Sequence, residues 1–496
     1  MLEAAISGLV QIMSPGAFGL MMIGIIIGMV VGILPGLGGP VALALMLPFT
    51  FGMTPIETFC FLLSTLVVTT TAGGITSILF GIPGEATAAA IVLDGHPMAK
   101  AGEAGRAIGA MLMASLMGAL IGAVLIVLAI PIIRPVVLAF GPPEFLMLAL
   151  VGLTFIAILS DGSMLKGLIM ASAGILISLV GLDPQTSVPR YTFGMLEMWD
   201  GIGIVPIVIG LFGGPQILEL MLSKKSISTR KAAGSTSGIL KGFADAFIHW
   251  KTVVQAGLIG AGVGVVPGVG GSVAQFIAYG HAKQSSREPE KFGKGSIEGL
   301  LAASGNNNAK DGGSLIPMIS FGLPGSVSTT IVLTAFLIVG IDPGPAMLTE
   351  HLDVTFSMIW VTIIANVIVL LITIPIIAPL SRLTMVSGPL LAPFLLALVV
   401  LGSYANSNSL FDVWVMLVAA AVGVICQRFR WPVVPLLLGL VLGDICERYF
   451  FLSQALFGWD WVTRPIVMGF GALMALIFFR AGLQSWKTFK NKRAVQ

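Results

Sequence analysis

Apolar residues run along this chain in long unbroken blocks, without the alternation of a half-buried strand or the one-sided period of a surface helix. Ile108–Ile133 and Met358–Leu380 are the clearest blocks, with Arg134 and Arg382 just beyond their ends. A helix of about 18 residues or more crosses a hydrocarbon core roughly 30 Å thick. In apolar runs this long, only helices satisfy their own backbone. Further helices are expected over Phe18–Leu34, Pro40–Phe51, Thr54–Leu93, Glu144–Leu159, Leu165–Leu182 and Ile202–Leu222, then over Val253–Val266, Ser272–Ala282, Ile297–Val339 and Pro465–Phe479. The expected fold class is an all-α polytopic membrane protein.

Glycine and proline interrupt these blocks twice, in the same order. Val31–Gly39 reads VGILPGLGG and Val263–Gly271 reads VGVVPGVGG, 232 residues on; Phe80–Gly84 is FGIPG and Phe321–Gly325 is FGLPG, 241 residues on. Pro206–Gly210 and Pro435–Gly439 echo one another at 229. Paired Gly/Pro interruptions at corresponding places in two hydrophobic halves point to a secondary transporter and to its binding site. Pro35–Gly39 and Pro267–Gly271 read as tips of re-entrant hairpins. Further breaks are expected at Gly73-Gly74, Pro83-Gly84 and Pro324-Gly325.

Charge fixes the topology of this duplication. With the N-terminus outside, 21 of the 26 Lys and Arg residues face the cytoplasm, Arg134, Arg190, Arg448 and Arg464 lie outside, and Lys310 sits at membrane depth. The positive-inside rule expects that bias. Each half then makes an odd number of crossings, so the repeats are antiparallel; parallel repeats in an inert scaffold would place one basic cluster outside. The expected domains are a first inverted repeat over 1–222, a basic cytoplasmic linker over 223–251, a second inverted repeat over 252–460, and an extra helix with a basic cytoplasmic tail over 461–496. The N-terminus is expected in the periplasm and the C-terminus in the cytoplasm.

Composition agrees. The chain is 56% hydrophobic and only 10% charged, against about a quarter charged in soluble domains. Its 62 glycines suit close helix packing in lipid. Met1–Pro15 carries no Lys or Arg and reads as a short interfacial helix, with no cleavable leader evident. Cys60, Cys426 and Cys446 are scattered, which favours neither a disulfide framework nor a metal centre. His96, His249, His281 and His351 are expected in separate loops or hairpin ends and form no metal pair. No nucleophile elbow or phosphate-binding loop occurs, so an enzyme is not expected.

Candidate chemistry gathers at the interruptions. Non-helical backbone in the bilayer needs protein, water or a ligand to satisfy it. A helix N-terminus exposed there suits a carboxylate, and a C-terminus suits a cation. Pro35, Gly36, Gly38 and Gly39, with Pro267, Gly268, Gly270 and Gly271, are therefore candidates for contact with solute, as are Pro83, Gly84, Pro324, Gly325 and Ser326. Counted from the Gly-Gly pairs, Thr69, Thr70, Thr71, Gly73 and Gly74 align with Asn308, Ala309, Lys310, Gly312 and Gly313. Thr70 and Thr71 offer hydroxyls there, and Asn306, Asn307 and Asn308 offer amide donors and acceptors at depth. Lys310 and Asp311 read either as a functional pair within the membrane or as an ion pair at a hairpin mouth. Glu85 and Asp94 are weaker candidates, Asp94 as the cap of a cytoplasmic turn. The coupling ion is Na⁺ or H⁺, with a possible Na⁺ position near Thr71 and Asn308. Besides a transporter, a channel built from re-entrant helices fits the pattern.

The stretches Ile78–Gly109, Gly32–Gly39 and Asn307–Ser326, with their IPGE, LDG-x-PMA, GG-x-LIP and LPGS motifs, resemble the large membrane subunit of tripartite tricarboxylate transporters over nearly the whole chain. The resemblance implies a bacterial inner-membrane protein working with a small four-span membrane subunit and a periplasmic solute-binding protein. It also implies a carboxylate substrate and uptake driven by an ion gradient. No nucleic-acid partner is implied.

The topology is testable with single cysteines placed at positions 228, 407 and 496 in a variant lacking the native ones. An impermeant thiol reagent applied to whole cells should label only Ser407→Cys. Labelling of Ser228→Cys would overturn the antiparallel arrangement.

Overall fold

The computed structural model of the chain describes all residues but 35–36, 160–163, 184, 223–237, 267–270, 384–387, 478 and 480–496, with backbone only at 156–159, 272, 377–383 and 388–391. The helices in order are α1 (Leu2–Ile12), α2 (Pro15–Ile33), α3 (Gly38–Met46), α4 (Pro55–Phe80), α5 (Ala89–Met98), α6 (Ala104–Leu138), α7 (Pro142–Leu159), α8 (Met164–Ser178), α9 (Ile204–Val208), α10 (Gly214–Leu222), α11 (Ile239–Ile248), α12 (Trp250–Gly264), α13 (Gly271–Ser285), α14 (Ile297–Phe321), α15 (Val327–Ile338), α16 (Leu352–Leu383), α17 (Gly388–Ser407), α18 (Leu410–Phe429) and α19 (Val434–Phe457). Six helical segments among the described residues are long and apolar enough to cross a membrane: Pro15–Ile33, Pro55–Phe80, Ala86–Leu138, Ile204–Leu222, Leu352–Ile376 and Leu410–Phe429. The molecule is an all-α, multi-span membrane bundle.

The chain packs as two units, Met1–Arg134 with Val205–Val424, and Pro135–Ile204 with Ile425–Gln496. In the first, α2 lies against α4 and α12 against α14, each pair seated on glycines. A Cβ on Gly28 would fall 2.7 Å from Thr65 O, and one on Gly260 would fall 2.6 Å from Asn306 O. One turn on, Gly32 sits over Thr69 O and Gly264 over Lys310 O. The offsets between these two sets of contacts are the 232 and 241 of the sequence motifs. Small residues let backbones approach in this way, and van der Waals packing then replaces the hydrophobic drive that lipid does not supply.

Asp94 ties this unit together. Its buried carboxylate accepts hydrogen bonds from the backbone N–H groups of Gly293 (2.8 Å), Gly295 (2.9 Å) and Ser296 (2.8 Å) and from the Tyr279 hydroxyl (2.9 Å). It does cap a turn, but the turn is the one before α14, some 200 residues away. In sequence order, α1 comes first and packs on α16, where Trp360 Nε1 donates to Ala5 O and Ser357 Oγ to Gly8 O.

The second unit contains α7, α8 and α19, with α8 and α19 crossing at Gly174 and Gly439. A two-residue β-hairpin pairs Gly181 with Arg190 and Leu182 with Pro189. Arg190 grips Glu447 at 2.7 and 3.1 Å, beside a cavity of about 770 Å³ that Trp199, Asp200, Asp444 and Arg448 also line. In the same loop, the N–H groups of Thr186 and Gln185 hold the Asp183 carboxyl below the usual carboxylate range.

Several expectations are corrected. Gly73-Gly74 does not break its helix: α4 runs through it and stops at Gly81, whose left-handed backbone (φ 68°) ends the helix. In the same way α14 runs through Lys310–Gly313 and ends at Gly322 (φ 69°). The expected cytoplasmic loop Asp94–Arg106 is largely helical, with its bend at Gly102 (φ 88°). His96 belongs to α5, where it is buried, and His281 to α13. Within the linker, α11 forms, held to Arg106 by Asp245 at 2.6 Å. Ser228 and Gln496 lie outside the described residues.

Candidate functional site

The two described interruptions are built alike. After the glycine that ends α4, Pro83-Gly84-Glu85 turns back so that Gly84 N–H reaches Gly73 O (3.3 Å), and the Gly84 backbone lies against Gly73 and Gly32 O. After the glycine that ends α14, Gly325 lies against Ser314 and Gly264 O. Any side chain at either position would overlap backbone, so glycine is obligatory there. The same geometry corrects the alignment counted from the Gly-Gly pairs. Ser314 takes the place of Gly73, so Lys310 corresponds to Thr69 and Asp311 to Thr70.

Helix starts meet beyond these turns. Gly38, with φ +54°, opens α3, and the next residue, Gly39, donates its N–H to Glu85 Oε2 at 2.8 Å. A carboxylate on a helix N-terminus is electrostatically favoured. Thr87 donates to the other Glu85 oxygen. Ser326 caps α15 through a reciprocal pair of bonds with Thr329, and Ser328 lies near Gly39. At the start of α13, Gly271 lies against Thr87 and the Lys310 ammonium. Glu85 thus feels the charges of Lys310 and Asp311 and contacts the Thr70 hydroxyl. The Lys310 Nζ is 2.8 Å from Asp311 Oδ1, with both side chains almost fully buried. Both broken pairs converge here, within one unit.

One or two turns along α14 toward its start, the three asparagines divide their work. Asn306 donates to Ala256 O (3.2 Å) on α12, which makes it interhelical glue. Asn307 donates to Thr70 O at 3.3 Å. Asn308 donates to Thr71 Oγ1 (3.2 Å), Ser115 O (3.5 Å) and Asn366 Oδ1 (2.5 Å). The Thr70 and Thr71 hydroxyls donate to the carbonyls of Leu66 and Val67, four residues back. The Oδ1 atoms of all three asparagines are buried and accept no hydrogen bond among the described residues. At Thr71 and Asn308, then, the contact is a hydrogen bond from amide to hydroxyl.

The other candidates fall in place around this cluster. Gly74 packs on Met111, Gly312 on Gly122 of α6, and Gly313 on Ala261 of α12, so these three serve helix crossings. Pro324 is buried and Pro83 half-buried in the turns. Pro35, Gly36, Pro267, Gly268 and Gly270 lie outside the described residues. Sequence reasoning underrated Glu85 and missed Thr87, Ser115, Ser328 and Asn366. Asn366 had a readable signal, as an amide in the middle of the apolar run Met358–Leu380. Among the described residues, no three His, Cys, Asp or Glu side chains gather as a metal-binding set.

A multi-span helical bundle with discontinuous helices meeting at buried polar groups is the architecture of a membrane transport protein. Residues 18–438 match the Tripartite tricarboxylate transporter TctA family. The chain belongs to that family: it is the large membrane subunit of such a transport system and not an enzyme. It is 30% identical, over 96% of its own length and 95% of the relative's, to an uncharacterized 52.8 kDa protein in TAR-I ttuC' 3'region of Agrobacterium vitis. A second protein of that organism, uncharacterized and in TAR-II ttuC' 3'region, is 29% identical over 46% of this chain and 96% of its own length. No solved structure matches the chain.

The turns make a direct prediction. Gly325→Ala and Gly84→Ala should each lower stability by about 1–3 kcal/mol through overpacking. Gly262→Ala, at a position with open space around it, should leave stability unchanged or raise it. Thermal unfolding of the purified variants checks this, and a neutral Gly325→Ala would refute the close approach.

Proposed function

We propose that this chain is the translocating subunit of an ion-gradient-driven secondary transporter. It imports a tricarboxylate or related small organic acid delivered by a periplasmic solute-binding protein and works beside a small four-span membrane subunit. The observation that carries the reading is the convergence of both broken helix pairs on one buried polar cluster. The recurrence of the same glycine contacts at offsets of 232 and 241 supports two repeats, 1–222 and 252–460, joined by a cytoplasmic linker. The basic-residue bias makes them inverted. The N-terminus is then periplasmic, the C-terminus cytoplasmic, and the bilayer the bacterial inner membrane.

In this reading, Asn307, Asn308, Thr70, Thr71 and the backbone around Gly84 and Gly325 form the site, with Gly38, Gly39 and Gly271 at its helix starts. The solute carboxylate meets N–H groups, and carbonyl and amide oxygens hold Na⁺, or a carboxylate holds H⁺. The glycine-seated elements α2–α5 and α12–α15 move together against the remaining spans, which opens the site to one side at a time.

Uptake of labelled citrate and succinate into cells with the complete system tests this. Accumulation should run uphill and collapse when the ion gradient is dissipated; accumulation that never exceeds equilibrium would favour a passive organic-anion channel. Loss of one charge-assisted hydrogen bond costs about 1.5–3 kcal/mol. Among the described residues Asn307 Nδ2 makes one hydrogen bond only, so Asn307→Ala should raise the half-saturating solute concentration roughly ten- to a hundred-fold. Asn308 Nδ2 is taken up by Thr71, Ser115 and Asn366 while its oxygen accepts no bond among them, so Asn308→Ala should change the ion dependence. An Asn308→Ala transporter with unaltered affinity, ion dependence and rate would remove Asn308 from the site.

A further inference from the structure

The ion-coupled reading leaves open where the coupling ion sits, and the buried charges narrow that choice. Glu85, Lys310 and Asp311 lie together, and the charges that act on Glu85 are those of the other two. With both carboxylates ionised, the cluster carries one negative charge in excess. Lys310 is 6% exposed and Asp311 4%, so water does little to screen that charge, and uncompensated charge at membrane depth is strongly unfavourable.

Unpaired oxygens point the same way. Neither carboxylate oxygen of Asp311 accepts a hydrogen bond of good geometry, although Lys310 Nζ lies 2.8 Å from Oδ1. Asn307 Oδ1, on a side chain 1% exposed, accepts none either. Asn307 and Asp311 are four residues apart on α14, so their side chains share one face with Cβ atoms about 5–6 Å apart. Asn307 Nδ2 donates to Thr70 O, which places its amide oxygen beside α4, the helix whose Thr70 contacts Glu85. A carboxylate and an amide oxygen on successive turns are hard oxygen ligands, suited to a cation that prefers oxygen.

We propose that Asp311 and Asn307 form a binding site for one Na⁺ ion, with Lys310 as a tethered competitor for the same carboxylate. This rests on the ion-coupled reading and deepens it. A monovalent ion brings the cluster to neutrality, whereas a divalent one would leave it positive. The bond from Asn307 to Thr70 O fixes the amide against α4, so its oxygen is held in place for the ion. Because the Lys310 ammonium already lies on Oδ1, Na⁺ binding shares or displaces it, which weakens the site without abolishing it.

Thermal unfolding of the purified full chain in NaCl, KCl and choline chloride at equal ionic strength tests this. Wild type should be stabilised by NaCl in a saturable way and not by KCl or choline chloride. Lys310→Met, which removes the competing charge, should lower the half-saturating Na⁺ concentration at least roughly ten-fold. The double variant Lys310→Met/Asp311→Asn leaves no buried unpaired ammonium, and it should lose the Na⁺ response while still unfolding cooperatively. Retention of the Na⁺ shift in the double variant would overturn the site, as would equal stabilisation by KCl. A wild-type response to protons alone would place the coupling charge on Glu85 instead. Na⁺ binding without ion-dependent uptake would leave this site standing and remove the transport reading; Na⁺-coupled uptake that survives the double substitution would do the reverse.

Discussion

A helix broken inside an apolar bundle frees backbone N–H and C=O groups that lipid cannot satisfy, and each such group costs several kcal/mol if left alone. Much of the first unit's architecture answers that constraint. Gly84 gives its N–H to Gly73 O, Glu85 takes the N–H of Gly39, and Ser326 and Thr329 cap one another at the start of α15. The first two need a second segment within hydrogen-bond reach, whereas the Ser326–Thr329 pair closes within its own helix start. The interruptions therefore assemble in contact with one another.

Close approach is what glycine supplies. α2 seats on α4 through Gly28 and Gly32, and α12 on α14 through Gly260 and Gly264, with no room for a Cβ at any of the four. The partners of those two pairs, α4 and α14, then meet each other through Thr70 and Thr71 and through Asn307 and Asn308, on two helices from opposite halves of the sequence. A larger residue at Gly32 or Gly264 would separate the walls of the site before it touched any ligand.

The long apolar runs, the Gly/Pro repeats and their two registers were all legible in the sequence, because hydropathy and Pro-Gly chemistry act locally. The family resemblance rested on the same motifs, and the match over residues 18–438 bears it out. Gly73-Gly74 misled because a glycine pair looks the same whether it breaks a helix or admits a neighbour. Only the approach of Gly84 decides between them. Glu85 was undervalued for a similar reason: its importance comes from Gly39, 46 residues earlier, and from Lys310, 225 residues later. Asp94 read correctly as a cap, but nothing local could say that it caps the turn at Gly293–Ser296.

Alternating access at the proposed site requires that its residues face each side of the membrane in turn. Thr87, between Glu85 and Gly271, reports on that most directly. In a variant with Cys60, Cys426 and Cys446 replaced, Thr87→Cys can be exposed to an impermeant thiol reagent in right-side-out and in inside-out vesicles. Alternating access predicts modification from both sides, with Na⁺ and citrate together changing the two rates in opposite directions. Modification from one side only, at a rate that neither solute alters, would contradict it.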